Sequence, residues 1–365
     1  MEQGKIDSNQ AFLLMLSTVL PTAILTVPDV AVKFAKQDAW ISLVIATLVA
    51  MAIAVLIVNL SLRFPEKTLF VYPEEILGKV SGKIVIGLYV WWYLQLGSAT
   101  IREFSFFLVT VSMPDTPMIV FSIIIVVVSA YAVYNGLEVL SRFNQLFIPV
   151  TGLLVIVFLL STKDMKLTRL LPLFDTNMSS VLKGAVTPTM WLAEIVTIGV
   201  IIPYLNKPKE AYRVVVLATL TNGFLLTASV LEALLIFAPH LTADWLYPIY
   251  NAVRVVSIAH IVERLESVIL VLWLIGGFVK LGVFYYAAVL GSAQWLGLKD
   301  YRSLVVPLGV ILVALSYLLY GNNIVDLLDY FAEAWVPFDL LVLEVGIPLA
   351  LLSIALIRGK GGKKG

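Results

Sequence analysis

The sequence contains no cysteine, which removes disulfides, thiol nucleophiles and cysteine-based metal sites. It has two histidines, His240 and His260. That is too few for a histidine metal cluster, and neither offers a credible membrane-embedded base for a serine triad. Charge is also scarce. Only 13% of the 365 residues are Asp, Glu, Lys or Arg, against roughly 25% in ordinary soluble proteins. The 25 basic and 24 acidic side chains leave a net charge of +1, so there is no basic field for nucleic acid. Phosphate-binding loops and dinucleotide fingerprints are missing as well. The sequence therefore implies no cofactor, no metal and no enzyme activity.

What it has in abundance is apolar surface: 60% of the residues are hydrophobic and the mean hydropathy is +0.97. A soluble chain of this length needs far more polar surface, so this is a multi-spanning membrane protein whose first partner is the lipid bilayer. Ten apolar runs are long enough to read as spans, at 11–31, 39–62, 84–111, 117–138, 143–161, 181–204, 211–238, 267–296, 304–320 and 336–357. The first reads as a span rather than a signal peptide, because its flank is not basic and it is too long. Basic residues divide fifteen to eight between alternate loops, which predicts that both termini are cytoplasmic. Trp40, Trp245, Trp295 and Trp335 fall near the predicted boundaries, as interfacial tryptophans do.

Ten spans divide into repeats of five over 11–161 and 181–357, within one membrane domain that ends in the basic tail 358–365. An odd number per half inverts the second half relative to the first, a transporter pattern. Span one holds Pro21 and Pro28, and span six holds Pro188, with Pro203 near its end. Each proline frees a carbonyl four residues back, and free backbone at membrane depth is tolerated only beside protein or a wet cavity. Both spans are thus expected to be broken around one central site. The candidate ligand-binding residues are Thr22, Ala23, Ile24 and Leu25 on span one and Met190, Trp191, Ala193 and Glu194 on span six. Tyr93, Gly97 and Ser98 on span three join them as a cavity wall, although packing alone also accounts for those three. Two outer loops, Thr162–Ser180 and His240–Ser267, read as lids, the second with a short helix over Pro248–Val256. On the inner side, Arg63–Lys83 is amphipathic enough to lie along the membrane.

Ionisable groups at depth are functional candidates by default. Glu194 is placed to bind a substrate ammonium, to carry a coupling proton or to hold broken backbone. Lys280 lies near the middle of span eight among Gly276, Gly277 and Gly282, and Glu194 is its candidate partner. Arg102 and Glu103 are neighbours and point different ways on a helix. Arg102 is expected to meet an acid on another span, Glu232 or Glu344. Glu194, Lys280 and Arg102 form the candidate set for ion coupling or buried pairing.

A series of short marks runs along most of the chain: Ile24-Leu25-Thr26-Val27-Pro28, Asp38-Ala39-Trp40-Ile41, Phe64-Pro65, Leu77-Gly78-Lys79, Arg102, Thr116-Pro117, Gly136-Leu137, Ser141-Arg142, and Ile261-Val262-Glu263-Arg264-Leu265-Glu266-Ser267 with Trp273 downstream. In this order the chain resembles the spore-germination permease family, the B subunits of bacterial spore nutrient-germinant receptors. That family belongs to the amino acid–polyamine–organocation transporter superfamily. The resemblance implies an all-α polytopic fold of ten transmembrane helices, a LeuT-like 5+5 inverted repeat with helices 1 and 6 broken. It also implies an amino acid or similar small nutrient at their junction, a place in the spore inner membrane, and two protein partners, a larger A subunit and a lipoprotein C subunit. Nutrient binding in that family triggers ion release and germination. Two departures stand out. Pro21-Thr22-Ala23 replaces the usual glycine-rich break, and Ala193 stands where many relatives have glycine. A ligand sensor, a proton-coupled amino-acid transporter and a scaffold that has lost its pocket all remain compatible with these residues.

Overall fold

Inside a bilayer the backbone has no hydrogen-bonding partner but itself, so long apolar runs wind into helices. The structure, a computed structural model, describes residues 2, 4–255, 265–321, 323, 326–327 and 330–362. Residues 261–264 of the strongest family mark, Val256 at the end of the expected outer helix, His260, and Lys363 and Lys364 of the tail lie outside the described residues. The elements in order are α1 (Ser8–Ala35), α2 (Ala39–Ser61), α3 (Tyr72–Leu77), α4 (Lys79–Val111), α5 (Met118–Asn135), α6 (Leu137–Ser161), α7 (Met178–Ala193), α8 (Ile198–Ile201), α9 (Ala211–Asp244), α10 (Pro248–Val255), α11 (Leu265–Leu296) and α12 (Val305–Leu318), then a π-wound segment (Phe331–Gly346) leading into α13 (Ile347–Ile357). Among the described residues, seven stretches are long and apolar enough to cross a membrane, and the first, Ser8–Ser61, contains both α1 and α2. α1 lies against α9, α7 and α11, α2 against α7 and α9, and α4 against α11 and α12.

The expected break in the first helix is corrected: α1 runs unbroken through Pro21 and Pro28. The residues between the prolines explain this. Without glycine, the stretch has no cheap route to an unwound backbone. Hydroxyl groups also take up carbonyls in the same turns: Thr18 Oγ1 donates to the Leu14 carbonyl at 2.7 Å and Thr26 Oγ1 to that of Thr22 at 3.1 Å. The sixth helix is interrupted, but not at Pro188, which sits inside α7. There Thr189 Oγ1 donates to the Ala185 carbonyl and Ser42 Oγ to that of Val181, each at 2.7 Å. The interruption comes later, as a tightened 3₁₀ turn over Glu194–Thr197 between α7 and α8. A second 3₁₀ turn, Ile202–Tyr204, carries Pro203.

Close helix contacts come from small residues. A Cβ on Gly276 would sit 2.7 Å from Cγ of Pro21, and one on Gly277 would sit 3.1 Å from Phe104. α11 therefore approaches α1 and α4 closely enough to carry Lys280 between them.

The loop Thr162–Ser180 is pinned to the corner between α1 and α2. The buried Asp38 carboxylate accepts from the Phe174 amide at 2.8 Å and the Thr176 amide at 2.9 Å. Gln37 Nε2 donates to the Pro172 carbonyl at 2.9 Å. Asp38→Ala should strand two amides at a cost of about 1–3 kcal/mol and speed limited proteolysis at 171–176. Unchanged cleavage there would show that Asp38 does not hold the loop. The helix expected in the second outer loop is α10, with Ile249, Tyr250, Ala252 and Val253 buried. The stretch Arg63–Lys83, expected on the inner side, contains α3, with Tyr72 and Ile76 buried, and the first turn of α4.

Both terminal segments are tied to one end of the bundle. Ile6 pairs with Leu205, and Lys5 Nζ donates to the Pro203 carbonyl at 2.7 Å. At the other terminus Arg358 donates to the Ile76 carbonyl, and Arg63 to that of Lys360.

Candidate functional site

The central feature is a buried polar network in which four helical elements meet. Lys280 of α11 is 1% exposed, and its ammonium lies 3.0 and 2.9 Å from the two carboxylate oxygens of Glu194. Its third donor reaches Thr22 Oγ1 of α1 at 2.8 Å. The same hydroxyl accepts from Trp191 Nε1 at 3.2 Å. With both acceptor positions taken, its one proton is left for another partner, and the Glu103 carboxyl of α4 lies within hydrogen-bonding reach. Thr22 thus connects α1, α4, α7 and α11. The Phe284 ring lies 5.5 Å from the Lys280 ammonium. A buried ammonium with three oxygen neighbours is satisfied, which is what lets an ion pair persist out of water.

Beside this network is a small cavity of about 20 Å³, lined among others by Thr22, Thr26, Glu103, Tyr247, Trp273 and Phe331. That is room for about one water. A larger cleft of about 620 Å³ includes Glu138, Arg142, Asp300 and Arg302. Its charges are exposed and already paired, Arg142 with Glu138 and Arg302 with Asp300. The buried cavity is the better candidate because its polar groups are desolvated and sit at the helix junction.

The structure brings some of the expected residues together and separates others. Thr22, Trp191, Glu194 and Lys280 share one network, and Leu25 lines the cavity. Ala23, Met190 and Ala193 are fully buried in the packing around it, and Ile24 is half-buried. Span three is corrected in part. Gly97 faces α12, where a Cβ would meet Leu312 at 2.9 Å. Ser98 Oγ is bonded to the Gln95 carbonyl at 2.9 Å and lies 3.1 Å from the Tyr320 hydroxyl. Tyr93 belongs to an aromatic cluster, its ring 4.9 Å from Trp92 and 5.7 Å from Phe70. None of these three is among the cavity residues.

Arg102 meets neither expected acid. Its guanidinium lies 4.6 Å over Phe106 and 4.7 Å over Tyr317, donates to the Gly321 carbonyl, and feels the charge of Asp326. Glu232 accepts from Ser161 Oγ at 2.6 Å. Glu344 sits at the level of Tyr89, whose hydroxyl donates to the neighbouring Leu343 carbonyl. Tyr89 and Arg102 are thirteen positions apart on α4, roughly 20 Å, so Glu344 is out of reach. Nearby Asp339 accepts from Gln95 Nε2 at 2.7 Å. Trp335 is also corrected. It is no interfacial anchor, being 2% exposed and packed 5.4 Å from Trp191 and 4.3 Å from Phe331. The cavity residues Thr26, Leu246, Tyr247, Trp273, Leu327 and Phe331 carried no ligand-binding expectation. Glu103 was the one with a signal, an acid at membrane depth whose neighbour Arg102 points elsewhere.

The family described as "Spore germination protein" matches residues 5–324. Among curated relatives, Spore germination protein KB of Bacillus subtilis (strain 168) is 25% identical, covering 100% of this chain and 98% of the relative. Spore germination protein YndE of the same organism is 25% identical, with 99% of each chain covered. Among solved structures, MhsT in complex with L-phenylalanine superimposes with a TM-score of 0.63 at 16% identity, covering 99% of this chain and 91% of that one. The nucleobase-cation-symport-1 family transporter MHP1, closed on bromovinylhydantoin, gives a TM-score of 0.68 at 12% identity over 98% and 79% of the two chains. These likenesses establish a transporter fold for an integral membrane protein. With a profile match across most of its length, the chain belongs to the spore germination permease family.

Proposed function

We propose that this chain is the ligand-binding permease-fold subunit of a spore nutrient receptor. It lies in the spore inner membrane with ten transmembrane helices in inverted halves, 11–161 and 181–357, with both termini and the basic tail 358–365 cytoplasmic. An A subunit and a lipoprotein C subunit are its protein partners. The ligand is an amino acid or a nutrient of similar size, taken up where α1 and the Glu194–Thr197 turn meet. The observation that carries this reading is the Lys280–Glu194–Thr22 network beside a buried cavity. A network joining four helices ties their relative positions to one another. A ligand that displaces part of it binds one arrangement better than another, which is the requirement for a signal. A tenfold preference is worth about 1.4 kcal/mol.

The test is a thermal-shift screen of the purified protein in detergent against the common amino acids and other small nutrients, repeated with Glu194→Gln. Saturable stabilisation by one compound, weakened in the variant, is the expected result. Folded protein that responds to nothing would defeat the reading. A second reading, proton-coupled amino-acid transport, is favoured by the buried Lys280–Glu194 pair, since such a pair can exchange a proton when it parts. Flux of the same compound into proteoliposomes, driven by a pH gradient, separates transport from sensing.

A further inference from the structure

Both carboxylate oxygens of Glu194 already accept from Lys280, and Glu194 is not among the residues lining the cavity. Glu103 differs. It is 8% exposed, lines the cavity, and its Oε1 has no hydrogen-bond partner among the described residues. A buried carboxylate oxygen left unmatched costs more than an ordinary neutral group. The groups around it suit a cation. Thr26 supplies a hydroxyl oxygen whose acceptor side carries no hydrogen bond among the described residues, and Tyr247, Trp273 and Phe331 present aromatic rings of the kind that hold ammonium groups. Trp273 is itself fixed by Phe104 at 5.0 Å and Phe107 at 4.3 Å.

Among the described residues no charged partner awaits a carboxylate, and the unpartnered donor lining the cavity is the neutral Trp273 Nε1. The described cavity lining contains no basic side chain. Lys280 is held by Glu194 and Thr22, and Arg102 is turned towards Gly321. The first helix is continuous, so it offers no half-helix N-terminus to an anion. The network also counts two carboxylates, Glu103 and Glu194, against one ammonium.

Building on the nutrient-binding reading, we propose that Glu103 is the ammonium acceptor of this pocket. The pocket selects small primary amines with an apolar body, and the carboxylate of an amino acid contributes little to recognition. A cavity with room for one water must widen to admit such a ligand. Leu246 and Tyr247, at the corner between α9 and α10, and Leu327 and Phe331 form the wall that gives way.

The experiment uses the full chain in detergent and matched probes. Each set holds an amino acid, the same molecule without its carboxylate, and the same molecule without its amine: alanine, ethylamine and propionate; leucine, isoamylamine and isocaproate; phenylalanine, phenethylamine and hydrocinnamate. In at least one set the amino acid and the amine should both stabilise the protein saturably, with affinities within about tenfold of each other, while the acid does nothing. Glu103→Gln should weaken both by about tenfold or more, the scale of a hydrogen bond to a charged group, and Glu103→Asp should recover part of the loss. If Glu103→Gln does not fold, the three wild-type titrations still decide. An acid that binds as well as its amino acid, or an amino acid that binds while its amine does not, overturns the assignment and leaves the nutrient-binding reading standing. So does unchanged binding in Glu103→Gln. Failure of every probe and every screened nutrient on folded protein overturns both.

Discussion

Lys280→Met should destabilise the protein by about 3–5 kcal/mol, the usual cost of removing one partner from a buried ion pair. The loss is not the strength of the Lys280–Glu194 attraction. It is the cost of leaving Glu194, which is 0% exposed, charged or forced to take a proton without its ammonium. Glu103 makes this worse, because its carboxyl reaches the same Thr22 hydroxyl and feels the charge of Lys280. Deleting the lysine places two acids in one dry junction. The double variant Lys280→Met, Glu194→Gln should recover most of the loss, since apolar or neutral replacement of a whole buried pair is often close to neutral. Thermal unfolding in detergent of the two single variants and the double gives the cycle. A Lys280→Met protein within about 1 kcal/mol of wild type would mean that the pair is not a buried one. A double variant no better than the single would mean that Glu194 is not the group left stranded.

The contact between Lys280 and Glu194 was legible in the sequence for a simple reason. Charges are rare at membrane depth, so a lysine at mid-span has few acids to choose from, and hydropathy alone gives depth. Hydropathy does not give azimuth. The apolar residues of α2 and α5 run around the whole helix, and α4 is little better, so the direction in which Tyr93, Gly97 and Ser98 point could not be read. The same gap hid the inward turn of Trp335, which sits in a π-wound segment whose side chains do not follow the ordinary 3.6-residue period. Prolines misled in another way. They mark carbonyls that lose a donor, but they do not say whether a nearby threonine or a neighbouring helix makes up the hydrogen bonding around them. In α1 and α7, threonine and serine hydroxyls serve the adjacent carbonyls and the helices continue. Glu194 was placed beside the expected break. The chain does change its winding there, but by tightening rather than opening, which keeps the backbone bonded to itself.

Trp191→Ala should be the most damaging single change outside the ion pair, at about 3–5 kcal/mol for loss of a fully buried tryptophan. Two separate jobs are lost together. The ring fills the space between α7 and the π-wound segment, in edge-to-face contact with Phe331 at 5.7 Å and Trp335 at 5.4 Å, and the indole N–H holds the Thr22 hydroxyl. Trp191→Phe separates them. It keeps a ring in the aromatic cluster and deletes the N–H, so it should cost only about 1–2 kcal/mol. The functional consequence follows from Phe331, which touches Trp191 on one side and lines the cavity on the other. Removing the tryptophan withdraws the support behind one wall of the pocket, whereas the phenylalanine variant leaves that wall in place and alters only the hydroxyl that Lys280 and Glu103 share. Ligand binding, followed by thermal shift with isoamylamine and leucine, should therefore be lost in Trp191→Ala and only weakened in Trp191→Phe. If the two variants were equally stable, the hydrogen bond to Thr22, rather than packing against Phe331 and Trp335, would be what this tryptophan contributes.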